Sequence, residues 1–186
     1  IATGCATTPF FTLLDHTTPG SVSLATTYTT SSTVRGVGFS PDGNYIAVGH
    51  NVSPFFTLLD HTTPGTVSLA TTYTLSGAGV GSAFSPDGNY IAVGHATTPF
   101  FTLLDHTTPG SVSLATTYTL SNICLDVAFA PDGNYIATAH SDSPYFTLLD
   151  HTTPGSLTLA TTYIIGGTNT GRGVDFYPVN QPSPSS

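Results

Sequence analysis

One stretch of twelve residues, repeated every 45 residues, constrains the fold of this chain more than any other feature. It reads FSPDGNYIAVGH at Phe39–His50 and recurs unchanged at Phe84–His95. A third copy, at Phe129–His140, differs at three positions. Self-similarity at a fixed period of this length is typical of proteins in which each repeat forms one small unit that stacks on its neighbours. The sequence therefore predicts a row of equivalent units.

The local chemistry of the stretch predicts a strand end, a tight turn and a second strand. Pro41 presets φ at the second position of the turn, Asp42 tolerates the third position and Gly43 follows it, as in a type I turn. The run Tyr45–Val48 then restarts a strand of β-forming residues. Each copy is therefore expected to contain a hairpin.

Each complete unit contains four strand-like runs, and no segment has a helical period. In the first complete unit these runs are Arg35–Phe39, Asn44–Gly49, Phe55–Asp60 and Thr66–Tyr73. The second and third runs are apolar on both faces, as in strands buried inside a stack. The fourth alternates in polarity from Val67 onwards, with Leu69 on the apolar face, which favours a strand with one wet face. The predicted fold is all-β, a β-propeller of four-stranded antiparallel blades.

The same residues resemble a known repeat family. The stretch Val37–Gly49 resembles the start of a WD40 repeat, and Phe56–Asp60 resembles the third strand of that family, which ends in Trp-Asp. Leu59 stands in place of the Trp and Ser53 in place of the family's loop Asp, so we expect the hydrogen-bonded tetrad of typical WD40 blades to be missing. The Ser-Pro-aromatic segment before the third strand resembles the WD40-like repeats of secreted bacterial and bacteriophage structural proteins. The resemblance is specific for the blade and implies no particular activity.

The two ends of the sequence carry parts of a fourth copy. Ile1–Cys5 matches the second strand, and the segment 172–178 matches the first strand as far as its Pro. We therefore predict that residues 1–178 form propeller repeats, with the fourth blade split between 1–5 and 171–178. Residues 179–186 are a Pro/Ser-rich tail. The strands expected to close the ring contain Ile1, Ala2, Thr3, Val174 and Phe176.

Three kinds of closure are compatible with this split blade. One chain could form a four-bladed ring, two chains could form an eight-bladed ring, or successive chains could form an open fibre by strand complementation. Because WD40-type blades usually form rings of more than four blades, the homodimer is favoured. The first functional hypothesis is therefore a non-enzymatic structural protein that assembles with itself.

Composition disfavours several partners. Only 6% of the residues are charged, against roughly 25% in ordinary globular domains, and the net charge is −8. Arg35 and Arg172 are the only Lys or Arg residues, so no surface could neutralise a row of phosphates, and nucleic acid is not expected as a partner. The apolar runs are too short for membrane insertion. The Ser/Thr-rich, Lys-free composition predicts an extracellular, surface-exposed or virion-associated protein.

The repeats differ from one another mainly at one predicted face, which family analogy places at the top of the ring. Variation confined to one surface of a repetitive scaffold can mark a binding surface, and neutral drift in loops is the alternative. The second hypothesis is therefore a lectin-like or protein-docking module that binds a glycan or protein ligand there. The candidate residues of this binding face are Arg35, Arg172, His50, His95, His140, Asn51, Asp126 and Asp142.

The remaining polar repeats have structural explanations. His16, His61, His106 and His151 each follow Asp in identical turns, and one ligand per blade at the periphery cannot converge on a metal ion. We expect the Asp to accept N–H groups of the turn while the His covers the strand end. No nucleophile with a unique base stands out, so neither catalysis nor a cofactor is expected. The two cysteines, Cys5 and Cys124, are expected to be free thiols.

Overall fold

The structure is a computed structural model that describes residues 1–165 and 170–177. Its fifteen strands form four antiparallel sheets. Sheet 1 contains β1 (Ala2–Gly4), β2 (Phe10–Asp15) and β3 (Ser23–Thr29). Sheet 2 contains β4 (Val34–Phe39), β5 (Tyr45–His50), β6 (Phe55–Asp60) and β7 (Ser68–Thr74). Sheet 3 contains β8 (Gly79–Phe84), β9 (Tyr90–His95), β10 (Phe100–Asp105) and β11 (Ser113–Thr119). Sheet 4 contains β12 (Cys124–Phe129), β13 (Tyr135–His140), β14 (Tyr145–Asp150) and β15 (Thr158–Ile164).

The predicted all-β class and the four-strand repeat are confirmed. In sheets 2, 3 and 4 the four strands follow one another in sequence order, each antiparallel to the next. The predicted strand bounds in sheet 2 differ from the observed ones by two residues at most. The tail 179–186, predicted from its composition, lies outside the described residues.

The turn between the first two strands forms as the sequence predicts. The N–H of Gly43 donates to the Ser40 carbonyl oxygen at 2.9 Å, and Gly43 has φ of 75°. The Asp42 carboxylate accepts the Ser40 hydroxyl at 2.6 Å and the Asn44 N–H at 3.0 Å. These hydrogen bonds hold the pKa of Asp42 below its usual value.

The outer strand of each sheet departs from the predicted alternation. The pairing of β6 with β7 shifts between Leu58 and Leu59, so the strands contain a bulge. Leu69 is consequently 52% exposed, while Ala70 and Tyr73 pack against the core. The predicted inward position of Leu69 is therefore wrong, because a bulge reverses which side chains face inwards.

The hydrophobic core lies between successive sheets. Phe56 and Leu58 of sheet 2 pack with Ile91 and Leu104 of sheet 3, and all four are 0% exposed. Equivalent residues join sheet 1 to sheet 2 and sheet 3 to sheet 4. Burying a side chain of this size contributes about 1.5–3 kcal/mol. Each sheet is therefore stabilised mainly by its neighbours in the row.

The first strands of the complete sheets, β4, β8 and β12, lie side by side along one edge of the row. Their close approach requires glycine. A methyl group at Gly36 would overlap the Val80 carbonyl oxygen, and one at Gly38 would lie 2.7 Å from the Ser82 carbonyl oxygen. The backbones therefore meet where a side chain would not fit.

Candidate assembly edges and binding face

Sheet 1 has three strands where the other sheets have four, and β1 lies at its edge. β1 pairs Ala2 with Leu13 and Thr3 with Thr12. β5 pairs with β6 in the equivalent register, so β1 has the place of a second strand, as predicted. Thr3 and Gly4 are exposed, whereas the second strands of the other sheets are almost entirely buried. Sheet 1 therefore presents an unpaired strand edge.

The C-terminal segment (170–177) lies against sheet 4 where the first strand of a next sheet would begin. The Gly171 N–H donates to the His140 carbonyl oxygen at 3.2 Å, as the Val34 N–H donates to the Cys5 carbonyl oxygen between sheets 1 and 2. Gly171 also has the same close approach to sheet 4 that Gly79 has to sheet 2. The segment forms no strand pairing with β1 in the described part of the chain. Closure of sheet 1 by this chain's own C-terminal segment is therefore not observed.

Asp126 contacts the C-terminal segment. Its Oδ2 accepts the N–H of Val174 at 3.0 Å, and a methyl group at Gly173 would lie 3.7 Å from the same oxygen. The repeat places glycine at the equivalent positions of sheets 2 and 3, Gly36 and Gly81. The carboxylate is therefore specific to the last complete sheet, next to the C-terminal segment.

Sheet 4 leaves one apolar face without a covering sheet. Phe146 and Leu148 are half-buried, whereas the equivalent Phe101 and Leu103 are 0% exposed. Tyr163 on the same sheet is 67% exposed. We call Phe146, Leu148 and Tyr163 the open face of sheet 4.

Sheet 1 also leaves one face without a covering sheet. It is the face equivalent to the one that sheet 2 packs against sheet 1. Ile1 is 56% exposed and Leu14 is half-buried, whereas the equivalent Ile46 and Leu59 are 0% exposed. Thr12 is also half-buried here, although the equivalent threonines of the other sheets are buried. We call Ile1, Thr12 and Leu14 the open face of sheet 1.

The three histidines predicted for the binding face are inside the protein. His50, His95 and His140 are each 0% exposed. His50 donates its Nδ1–H to the Val52 carbonyl oxygen at 2.9 Å, and its Nε2 accepts the Thr57 hydroxyl at 3.0 Å. This tautomer is assigned because a carbonyl oxygen can only accept. The prediction that these side chains contact a ligand is wrong, because the loops fold over the strand ends and use both ring nitrogens.

The buried histidines form a hydrogen-bond network that the sequence analysis missed. A serine of the preceding linker contacts the ring in each case. Ser31 Oγ lies 3.1 Å from His50 Nδ1, and Ser121 Oγ lies 3.1 Å from His140 Nδ1. The network therefore joins the linker, the second strand and the third strand of each complete sheet. Burial lowers the pKa of all three imidazoles below 6.5 and keeps them neutral. The sequence feature that could have indicated this network is the fixed spacing of Ser, His and Thr in every complete unit.

The other residues of the predicted binding face lie in different settings. Arg35 is exposed and donates Nε–H to Asn51 Oδ1. Asp142 is exposed and accepts the Asn122 side-chain amide, and Arg172 is exposed on the C-terminal segment. The structure thus brings Arg35 and Asn51 together, while Asp126 contacts the C-terminal segment instead.

The Asp-His turns have the predicted structural role. Asp60 accepts the N–H of Thr62 at 2.8 Å, and His61 donates Nδ1–H to the Gly43 carbonyl oxygen at 2.8 Å. The hydroxyl and N–H of Thr62 hold the pKa of Asp60 below its usual value. Within 1–165 and 170–177, no group of three or more potential metal ligands is found. Cys5 and Cys124 are free thiols, as predicted, and burial raises the pKa of Cys124.

Cavities of about 280 and 360 Å³ open between sheets 2 and 3 and between sheets 3 and 4. The first is lined by Tyr45, Asp42, Asp87 and His106 among others. The second repeats the arrangement with Tyr90, Asp87, Asp132 and His151. Burial, and then the nearby carboxylates, raises the pKa of Tyr45 and of Tyr90, so both phenols stay protonated. Each cavity therefore combines an aromatic ring with hydrogen-bonding groups.

These sheets define a class: successive four-stranded antiparallel sheets that stack face to face are the blades of a β-propeller. The family model of the WD domain, G-beta repeat, matches residues 21–53 and 99–143. Each match joins the outer part of one sheet to the first two strands of the next. Two segments of the chain, which together make up less than half of its length, are therefore similar to WD40 repeats, in line with the resemblance seen in the sequence.

Solved propeller structures share this fold. A protein from Lactobacillus plantarum has a TM-score of 0.75 at 18% identity, over 88% of this chain and 51% of that one. A candidate 6-phosphogluconolactonase from Bacteroides uniformis has a TM-score of 0.71 at 14% identity, over 84% and 52%. Sqt1 from Saccharomyces cerevisiae has a TM-score of 0.61 at 14% identity, over 71% and 35%. The chain thus spans about half the length of the first two, and at these identities the likeness concerns the fold alone.

No curated protein sequence matches the chain. Among the residues that the structure describes, no helix has the length and apolar character needed to cross a membrane.

Proposed function

We propose that this protein is a non-enzymatic structural propeller that assembles with a second copy of itself through the open faces of sheets 1 and 4. The observation that carries the proposal is the complementarity of these two faces. The polar residues that recur in every unit are engaged in turn and strand hydrogen bonds, which supports a structural role. An extracellular or virion-associated setting is part of this proposal and follows from composition.

The complementarity follows from the three interfaces inside the chain. In each of them, a Phe and a Leu of one sheet pack on an Ile and a Leu of the next. The open face of sheet 4 carries the first pair, Phe146 and Leu148. The open face of sheet 1 carries the second pair, Ile1 and Leu14. Sheet 1 of a second copy would therefore continue the row by the same kind of contact.

Contact between two different faces is head-to-tail, and it generates a ring when the rotation closes and a filament when it does not. Four blades from each of two copies would give an eight-bladed ring, which removes both open faces and both strand edges. We favour this ring over the fibre because closure leaves no unpaired strand edge in solution.

Light scattering coupled to gel filtration tests the proposal. We expect a species of twice 19.2 kDa. The variant Leu148→Asp places a charge on the open face of sheet 4 and should shift the mass to that of one chain. The matched control Leu114→Asp changes a leucine that is 52% exposed on an outer strand, and it should leave the mass unchanged. A wild-type mass of 19.2 kDa would overturn self-assembly, and a ladder of larger species would overturn the closed ring.

The cavities between sheets favour a second candidate function, binding of neutral saccharides. A sugar ring could lie against Tyr45 while its hydroxyls donate to the Asp42 and Asp87 carboxylates lining the cavity. A glycan array probed with wild-type protein and with the variant Tyr45→Ala/Tyr90→Ala tests this. Binding that disappears in the variant supports the saccharide site, and wild-type silence across the array excludes it. The control Tyr28→Ala changes the outer strand of sheet 1 and should bind like wild type.

A further inference from the structure

We infer that the C-terminal segment of one copy pairs with β1 of the second copy in one defined register, with Asp126 holding the segment ready. The inference rests on the proposed self-assembly and adds the strand, register and positioning residue through which it occurs. Three observations carry it: the unpaired edge of β1, the first-strand position of the segment, and the hydrogen bond from Val174 to Asp126.

The register follows from the repeat. In sheet 2 the first strand pairs Val37 with Val48 and Phe39 with Ile46. Val174 and Phe176 are the equivalents of the first residues in these pairs, and Thr3 and Ile1 are the equivalents of the second. Val174 should therefore face Thr3 of the partner subunit, and Phe176 should face Ile1 of the partner subunit. The C-terminal segment would thereby complete sheet 1 of the partner subunit as its fourth strand.

The hydrogen bond to Asp126 also determines the type of pair. Because the N–H of Val174 points to the Asp126 carboxylate, it is turned away from an incoming β1. Val174 and the partner's Thr3 would then form a non-hydrogen-bonded pair, in which Cα atoms are about 4.5 Å apart. That separation lies within the range that a disulfide can bridge.

Asp126 acts as a positioning residue for the segment. Its carboxylate accepts a main-chain N–H, and a hydrogen bond to an ionised group is stronger than one between neutral groups. The segment is thereby held beside β12, at the place that β8 has beside β4 in the interior of the row. A partner strand then adds to a preformed edge, which lowers the entropic cost of pairing.

Disulfide cross-linking tests the register. In a Cys5→Ser background, the variant Thr3→Cys/Val174→Cys is oxidised with oxidised glutathione, and we expect a covalent dimer on a non-reducing gel. The control variant Thr3→Cys/Asp175→Cys moves one cysteine by one residue, to the opposite side of the strand, and should stay uncross-linked. Cross-linking of the control but not of the test pair would overturn the register. A disulfide within a single chain would overturn pairing with a second copy.

Two substitutions test Asp126. Asp126→Gly installs the residue of the equivalent positions and should raise the dissociation constant of the dimer about tenfold, with an unchanged circular dichroism spectrum. Asp126→Asn keeps an acceptor oxygen and should retain wild-type association within about threefold. Equal association of Asp126→Gly and wild type would overturn the role of Asp126 while leaving self-assembly intact. A wild-type protein that is monomeric would instead overturn both the inference and the proposed function.

Discussion

At the scale of single residues, the buried histidines couple folding to pH. His50, His95 and His140 are 0% exposed, and their ring nitrogens are used by groups of their own unit. Burial disfavours the imidazolium and lowers the pKa of each ring below 6.5. The unfolded chain therefore binds protons at a higher pH than the folded chain does.

We predict that stability falls as the pH drops below 6.5. Between 6.5 and the lowered folded-state pKa, the unfolded state holds more protons, so the free energy of unfolding rises with pH in that window and levels off above it. Urea unfolding at a series of pH values should show a midpoint that falls below pH 6.5. The variant His50→Gln/His95→Gln/His140→Gln lacks these titrating groups and should show a weaker dependence. An equal slope in both proteins would contradict this account.

The histidines also show what local sequence can and cannot predict at this scale. The turn chemistry of Ser40–Gly43 and the Asp60-His61 turn followed from residue types whose hydrogen bonds are local. The burial of His50 did not, because it depends on a linker that precedes it by about twenty residues and on the loop that follows it. Such a contact is a property of the folded unit rather than of the strand end.

At the scale of elements, the first strands depend on glycine for their spacing. The backbone of β4 approaches that of β8 so closely that a methyl group at Gly36 would overlap the Val80 carbonyl oxygen. The same edge contains Arg35, whose side chain is exposed. Adjacent positions of one strand therefore differ sharply in what they tolerate.

We predict that Gly36→Ala destabilises the protein by about 3 kcal/mol, because the two backbones must separate to admit the methyl group. The control Arg35→Ala changes the neighbouring residue, whose side chain is exposed, and it should change the free energy of unfolding by about 0.5 kcal/mol or less. Urea unfolding monitored by circular dichroism measures both. A Gly36→Ala variant as stable as the control would show that the strands can separate without cost.

The entry to the third strand is an element that the sequence does not predict. Phe55 has φ of 72°, and Phe10, Phe100 and Tyr145 share this conformation at the equivalent positions. Aromatic residues rarely adopt positive φ, so no propensity scale would assign it. Strand identity and order were predictable from polarity and turn residues, whereas neither pattern contains a signal for this entry or for the bulge at Leu58.

At the scale of the whole molecule, the repeat predicts that sheets stack in sequence order, and the core confirms it. The repeat does not predict which ends meet. Every interface uses the same residue types, so closure within one chain and closure between two chains differ mainly in the curvature of the row. That curvature is a sum of small rotations between sheets, which no local pattern specifies.

The sameness of the three internal interfaces has a consequence for biogenesis. A partly folded chain that exposes sheet 2 or sheet 3 presents nearly the same surface as the open faces of sheets 1 and 4. Such an intermediate can accept a blade from another chain in place of its own, which is the characteristic error of repeat proteins at high concentration. Refolding at high chain concentration should therefore give more species larger than two chains, because misassembly through sheets 2 and 3 joins further chains and becomes faster as the concentration rises.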